Sequence, residues 1–407
     1  MKQGVATKNF EDVCELVGGS QPAKDDFIYE PKDGYIRLIQ VRDYRTDKYI
    51  TYIPKDKARR FCNKEDIMIG RYGPPIFGIF KGLEGAYNVA LMKAVVNEKI
   101  CNKDYFYWFL NTDSLRQFVE HSSKRAAGQD GVRKELLDKY PVFVPPLPEQ
   151  LRIVSILDEA FAAIAKAKAN AEQNLKNAKE LFESYLQGVF ENKGEGWEEK
   201  TIEEIIESNV IGLTKNSSEQ RSDYEYKYVK MNNITRDNHF DLTKYTCVNA
   251  TKLEAKKYSL SRGDFLFNTR NSYELVGKTC LFEGYNNEVI LYNNNIMRIR
   301  FIKTVNPHFI NYSFTTPVVI KKLNSLKSGT TNVSAIYYKD LKNLKLLIPP
   351  IKAQQIIVQK LDALSAETKK LEAIYQQKIN DLEELKKSVL QKAFSGELKT
   401  GKHVHSI

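Results

Sequence analysis

The sequence predicts an α+β protein built by internal duplication: two globular domains, each leading into a long helix, with the two helices paired as an antiparallel coiled coil about a pseudo-twofold. Three observations carry this expectation. The stretch Pro349–Phe394 opens on a Pro-Pro pair and then holds neither glycine nor proline. A helix of that length spans on the order of 65 Å at about 1.5 Å per residue, more than one small domain needs. Along it Ile357, Leu361, Leu364, Thr368, Leu371, Tyr375, Lys378, Leu382, Leu385 and Val389 alternate spacings of four and three, the seam of a coiled coil. Second, an offset of 204 positions lays Pro145-Pro146 on Pro349-Pro350, Gln150 on Gln354, Leu157-Asp158 on Leu361-Asp362, Leu186-Gln187 on Leu390-Gln391 and Phe190 on Phe394, without a gap. That is the signature of a tandem repeat. Third, the remaining sequence reads as short strands broken by turns and short helices, an α+β rather than a doubly wound pattern.

In chain order, residues 1–147 form the first domain. Phe10–Leu16 reads as a short opening helix, followed by the turn-rich Gly18–Pro22 (GGSQP). Tyr35–Val41, Ile67–Arg71 and Tyr87–Val96 read as strands, Asp104–Phe118 as a helix rich in aromatics, and Tyr140–Val144 as a last strand entering Pro145-Pro146. Residues 148–191 are the first long helix. Its seam is Ile153, Leu157, Ala160, Ile164, Ala167, Ala171, Asn174, Ala178, Leu181 and Tyr185, small enough in the middle to admit a bulkier partner such as Leu361, Leu371 and Leu382 of the second copy. Residues 192–197 are a hinge of turn formers. Residues 198–348 repeat the first plan at lower similarity: Ile202–Ile206 answers Phe10–Cys14, Tyr226–Met231 answers Tyr35–Val41, Gly263-Asp264-Phe265 answers Glu65-Asp66-Ile67, and Pro307–Leu323 takes the place of the aromatic helix. The second long helix occupies 349–395, and 396–407 form a tail.

Composition narrows the function. The formal charge of +11 and a pI near 9.1 favour a polyanionic partner, and 23 tyrosines and 20 phenylalanines lie among the lysines, arginines and asparagines. No apolar run approaches the roughly 20 residues that span a bilayer, and MKQGVATKNF lacks the apolar core of a signal peptide, so the expected location is the cytoplasm with no membrane partner. The five cysteines are scattered singly, as reduced buried thiols are.

Catalytic constellations are missing where they would be expected. Base-flipping amino-methyltransferases use an Asn/Asp-Pro-Pro-aromatic loop, but the three Pro-Pro pairs here follow Gly73, Val144 and Ile348. Gly277-Lys278-Thr279 resembles the end of a phosphate loop whose first glycine would fall on Ser272. No metal set is recognisable. What remains is a recognition inventory at strand ends and in loops: Arg42, Arg45, Arg59, Arg60, Arg71, Tyr72, Lys124, Arg125 and Gln129 in the first domain. The second offers Asn232, Asn233, Arg236, Arg270, Asn271, Tyr273, Lys327, Ser328, Thr330, Thr331 and Asn332. Arginine matches guanine O6 and N7 with two hydrogen bonds, Asn and Gln match adenine N6 and N7, and Lys, Ser and Thr mostly hold phosphates. Each residue taken singly is also what a solvated surface carries; the set is worth more than its members, and its chemistry is that of base and phosphate recognition.

The duplicated (V/I)PP(L/I)xxQ, running through Leu-Asp into a helix that ends Leu-Gln-x-x-Phe, resembles the conserved regions of type I restriction-modification specificity subunits. GGSQP and KSGTTN (Lys327–Asn332) resemble the opening and closing stretches of their target recognition domains, and the likeness runs from residue 1 to about 398. The resemblance implies a non-catalytic subunit in which each target recognition domain reads one half of a bipartite asymmetric DNA site. It implies that the helix pair fixes the spacer and docks two methyltransferase subunits, and through them the restriction and motor subunits. S-adenosylmethionine, and ATP with Mg for restriction, would then belong to the partners, with no cofactor in this chain. The chain departs at the start of the second helix, where Ala353 replaces Glu149 and Lys352 adds a charge. A coiled-coil scaffold without DNA sequence specificity is the alternative, and a single-chain nuclease or methyltransferase a third reading.

Overall fold

The computed structural model describes residues 6–72, 76–123, 131–192, 194–285 and 288–398. Two compact units divide the chain, residues 1–172 with 376–407, and residues 173–375, so that each unit contains one domain and a stretch of both long helices. The long helices are Leu147–Glu191 and Ile351–Phe394, each continuous.

In the first unit the chain enters on Ala6–Asn9 and leaves on Pro141–Val144, which pair antiparallel. The segment expected to be an opening helix is mostly not one. Asn9 caps a single turn, Phe10–Val13, its N–H bonded to Asp12 Oδ2, and the chain then extends as Cys14–Gly18. Phe10 and Val13 are buried by that one turn, and Cys14 and Leu16 continue the burial with strand alternation, a period of two rather than 3.6. Cys14–Gly18 begins an antiparallel sheet in the order Cys14–Gly18, Leu91–Val96, Ile67–Gly70, Ile79–Phe80. A second four-stranded sheet runs Tyr52–Pro54, Tyr35–Ile39, Gly85–Tyr87, Phe61–Cys62, with Tyr35–Ile39 and Gly85–Tyr87 parallel. The aromatic segment forms two helices, Lys103–Leu110 and Asp113–Ser123, broken at Asn111-Thr112.

The second unit repeats this wiring. Glu198–Thr201 pairs with Lys345–Ile348; Thr201 caps the single turn Ile202–Ile205; and Ile206–Ile211 opens the sheet Ile206–Ile211, Ile296–Phe301, Asp264–Asn268, Thr279–Phe282. Its second sheet again contains a parallel pair, Tyr226–Val229 with Ile290–Tyr292. Asp66 and Asp264 play one role in the two units. Each accepts the backbone N–H three residues earlier and pairs with cations, Asp66 with Lys93 and Lys103, Asp264 with Arg300 and Arg298.

The repeat is sharpest where domain meets helix. Gln150 is fully buried, accepting from Asn102 N–H at 2.7 Å and donating to the carbonyls of Ile100 and Pro145. Gln354 does the same with Asn306 N–H at 2.7 Å and the carbonyls of Thr304 and Pro349. Asp158 accepts from Trp108, and Asp362 from Tyr312. Phe394 packs on Tyr105 and Phe190 on Phe309. Gln150 and Gln354 are buried amides that would be costly unpaired, which accounts for the glutamine after each Pro-Pro pair; the Asp158 and Asp362 bonds lie at the surface.

The helices run antiparallel. In the first unit Lys386 lies over Phe161 and Lys168 pairs with Glu383 at 2.7 Å; in the second Lys179 pairs with Glu372 at 3.9 Å. The seam differs from the expected one by a single residue at alternate positions. Leu157, Ile164, Ala171 and Ala178 face inward, and Phe161, Lys168, Leu175 and Phe182 come between them; the expected Ala160 and Ala167 are still half-buried, Ala160 against the first unit's core, whereas Asn174 and Leu181 are exposed. Leu361, Thr368 and Leu382 hold their places, whereas Leu181 is 58% exposed and Leu371 39% exposed, so neither belongs to the seam. Both phases alternate four and three. The domain decides between them, because Phe182 is drawn against Tyr312, a third surface that a two-helix pattern leaves out.

Candidate nucleic-acid interface

At one end of each domain five segments distant in sequence are tied together, and most of the sequence-predicted recognition residues fall there. In the second unit the centre is the turn Asn293–Asn295. Gly212 crosses it so closely that an added Cβ would sit 2.2 Å from the Asn293 carbonyl oxygen. The Asn293 N–H donates to the Val229 carbonyl, and the Asn293 and Asn295 amides reach Met231 Sδ. The Asn295 carbonyl accepts from Thr269 N–H at 2.8 Å and from the buried Asn268 amide, which also donates to the Arg270 carbonyl. Arg270–Asn271 pairs with Ser334–Ala335, which pairs in turn with Ser328–Gly329. Tyr273 N–H donates to the Thr331 carbonyl, and Lys327 Nζ donates to the Tyr273 carbonyl at 2.7 Å while lying 4.6 Å from its ring. Asn232, Arg270, Tyr273 and the closing loop thus share one connected surface.

Not every residue of the inventory presents its polar group outward. Asn232, Arg270, Tyr273, Thr331 and Asn332 are exposed. Asn233 is buried, its Oδ1 accepting from Lys230 N–H and its Nδ2 donating to the carbonyls of Asp241 and Lys244, so it fixes the loop and reads nothing. Asn271 bonds Asn268 Oδ1 and Ser272 N–H, and the exposed Thr330 accepts from Val333 N–H; both shape the loop. Lys278, unassigned by sequence reasoning, donates to the Met231 and Ile234 carbonyls and anchors the 231–234 turn from behind; burial pushes its ammonium below the usual lysine range. Beside the patch lies a cleft of about 1340 Å³ whose walls mix Arg236, Lys327 and Lys369 with Glu183, Glu274 and Glu372, so its charge does not select an anion.

The first unit assembles the same way. A Cβ on Gly19 would sit 1.9 Å from the Asn88 carbonyl oxygen; Asn88 N–H donates to the Ile39 carbonyl, and Arg71 N–H to the Ala90 carbonyl. Tyr72 pairs with Gly131, and Val132 N–H donates to the Arg71 carbonyl. The Arg71 guanidinium lies over the Tyr72 ring at 5.0 Å. Arg42 follows Tyr35–Ile39, over the Tyr49 ring at 5.6 Å. Arg59 and Arg60 are exposed just before Phe61–Cys62, farther along the second sheet. Lys124, Arg125 and Gln129 lie outside the described residues. The inventory lacks these two turns, yet the sequence carries a signal for them: Tyr87-Asn88 and Tyr292-Asn293 are the same dipeptide, followed four residues later by Met92 and Met297 respectively.

Two copies of one α+β module, each ending in a patch of arginine, tyrosine and amide side chains and each locked to an antiparallel helix pair, define the class: a bipartite DNA-recognition protein. The chain belongs to the family described as type I restriction modification DNA specificity domain, which matches residues 2–176 and 194–384. It is similar to the type I restriction enzyme EcoKI specificity subunit of Escherichia coli strain K12, 25% identical over 410 residues, covering 95% of this chain and 87% of that one. It is also similar to the StySPI specificity subunit of Salmonella potsdam, 22% identical over 422 residues, covering 98% and 90%. Among solved structures, a chain reported for complex assembly and conformational transition of the type I R-M system matches with a TM-score of 0.78 at 18% identity, over 98% of this chain and 99% of that one. The HsdS subunit from Thermoanaerobacter tengcongensis matches at 0.63 and 18% identity, over 98% of each chain. No helix among the described residues is long and apolar enough to cross a membrane.

Proposed function

We propose that the chain is the sequence-recognition subunit of a type I restriction-modification complex, each recognition domain reading one half of a split DNA site. The observation that supports this best is the repeated patch: the same five segments are tied by the same backbone bonds in both domains, while the outward side chains differ. A shared scaffold with different readers suits an asymmetric bipartite target. The lysines and arginines supply salt-sensitive attachment to phosphates, and outward Arg and Asn select bases.

The helices serve as spacer and dock. Leu181, Tyr185, Ile356, Leu371 and Ile374 on the second unit's helix pair, and Leu151 and Leu385 on the first's, are apolar and exposed, a surface suited to helices of partner methyltransferase subunits. In this reading those partners bind S-adenosylmethionine and methylate adenine, and restriction subunits with ATP and Mg join through them in the cytoplasm. Long-read mapping of modified bases in host DNA, with the gene present and deleted, tests the proposal. A split motif with methylated adenine that vanishes on deletion supports it. A motif that persists unchanged when the gene is deleted refutes it.

A further inference from the structure

Two residues occupy the same place in the two domains, and both ends of the loop that carries them fix the register. Tyr35–Ile39 pairs with Gly85–Tyr87 so that Ile39 lies opposite Tyr87, and Tyr226–Val229 pairs with Ile290–Tyr292 so that Val229 lies opposite Tyr292. The strands continue into one-turn 3-10 helices, Val41–Tyr44 and Met231–Asn233. In the first, Gln40 N–H donates to Asp43 Oδ2 at 3.1 Å; in the second, Lys230 N–H donates to Asn233 Oδ1 at 2.8 Å. Asp43 and Asn233 are both buried. Gln40 therefore corresponds to Lys230, and the residue just before each buried acceptor is Arg42 in one domain and Asn232 in the other.

The surroundings differ in step with these two residues. Asp43 Oδ1 lies 3.8 Å from Arg42 Nε and its Oδ2 3.9 Å from Arg37 Nε, and Arg42 Nη2 donates to the Tyr49 carbonyl at 3.3 Å and to Thr51 Oγ1 at 3.4 Å, so the guanidinium is held on one side while its side chain stays 47% exposed. In the second domain no arginine stands there, and the buried acceptor is a neutral amide whose Nδ2 is tied to the carbonyls of Asp241 and Lys244. A planar guanidinium suits guanine O6 and N7, and a carboxamide suits adenine N7 and N6. We propose that Arg42 and Asn232 are matched specificity-determining residues, Arg42 reading a guanine in the half-site of the first domain and Asn232 an adenine in the half-site of the second. The proposal rests on the reading that each domain binds one half-site.

The test uses the full chain assembled with its partner subunits and duplexes in which each base pair of the mapped motif is replaced in turn. The wild-type complex discriminates by roughly ten- to a hundredfold at a base pair read through two hydrogen bonds. Asn232→Ala should flatten that discrimination at one A·T pair of one half-site, and Arg42→Ala at one G·C pair of the other half, each leaving the remaining positions unchanged. A variant that keeps the complete wild-type profile, or that weakens all duplexes by a common factor, overturns the assignment for that residue. Because the profile is a ratio between duplexes, partial loss of folded complex cancels; thermal melting and co-purification with partners confirm that complex is present. Failure of the underlying reading is distinct, since the wild-type complex would then show no discriminating position at all.

Discussion

At the residue scale the interface is governed by groups that point inward. Gly212 has no room for a side chain against the Asn293 carbonyl, so Gly212→Ala forces the opening strand away from the turn and costs about 2 kcal/mol. A thermal melt lowered by several degrees is the expected outcome; an unshifted melt would show that the crossing relaxes freely. The outward residues behave differently. Arg270→Ala should relax selectivity at one base pair, while Lys327→Ala, by freeing Tyr273, should weaken binding to every duplex alike, a distinction that titrations at several salt concentrations measure. The same inward bonding explains what sequence could not tell. Asn232 and Asn233 are adjacent and chemically identical, yet one is exposed and the other buried, because only the fold brings the Asp241 and Lys244 carbonyls onto the second amide. His239 gives a pH signature. Its ring accepts from Lys369 at 2.9 Å, and burial, then the Lys369 charge, lower its affinity for a proton, against a weaker pull from Asp237. The folded state therefore binds fewer protons than the unfolded one, so stability is unaffected above about pH 6.5 and falls as pH drops below it. Hydrogen exchange of residues 234–240, corrected for intrinsic rates, should speed up between pH 7.5 and 5.5, and His239→Gln should remove the pH dependence.

At the element scale, existence was legible and phase was not. The Pro-Pro starts, the absence of helix breakers and the offset repeat locate both long helices to within a few residues, because they depend on local chemistry. Periodicity puts Leu181, Leu371 and Leu385 on the seam because they are apolar and correctly spaced, and it cannot see that a domain also competes for the helix surface; all three are exposed. The single turns Phe10–Val13 and Ile202–Ile205 were hard for a related reason: each is too short to show a period, and the extended strand after it is set by pairing with Leu91–Val96 or Ile296–Phe301. The structural seam makes a direct prediction. Leu361 is fully buried, so Leu361→Ala should destabilise the second unit by roughly 2–5 kcal/mol, whereas Leu181→Ala should stay within about 0.5 kcal/mol. Urea denaturation of the two variants separates these outcomes; equal shifts would restore the simpler seam.

At the scale of the whole molecule, the joints between domain and helix are more alike than the domains they join. Gln150 and Gln354, Asp158 and Asp362, and Phe394 and Phe190 make corresponding contacts to Asn102 and Asn306, Trp108 and Tyr312, and Tyr105 and Phe309. Each domain also brings its own two-stranded entry, Ala6–Asn9 with Pro141–Val144 or Glu198–Thr201 with Lys345–Ile348. A domain that carries these few groups therefore meets the helices correctly whatever its outward residues are. Replacing residues 198–348 by the recognition domain of a relative that keeps an aromatic partner for Asp362 and a backbone N–H for Gln354 should change one half of the methylated motif and leave the other intact. Residues 6–144 of this same chain meet that requirement, and placing a second copy of them there should make both halves the sequence that the first domain reads. Long-read mapping of a host carrying either chimera shows which half moves. Change in both halves after the first exchange would mean that recognition is distributed across the molecule, and the joints, however well repeated, would then be structural only.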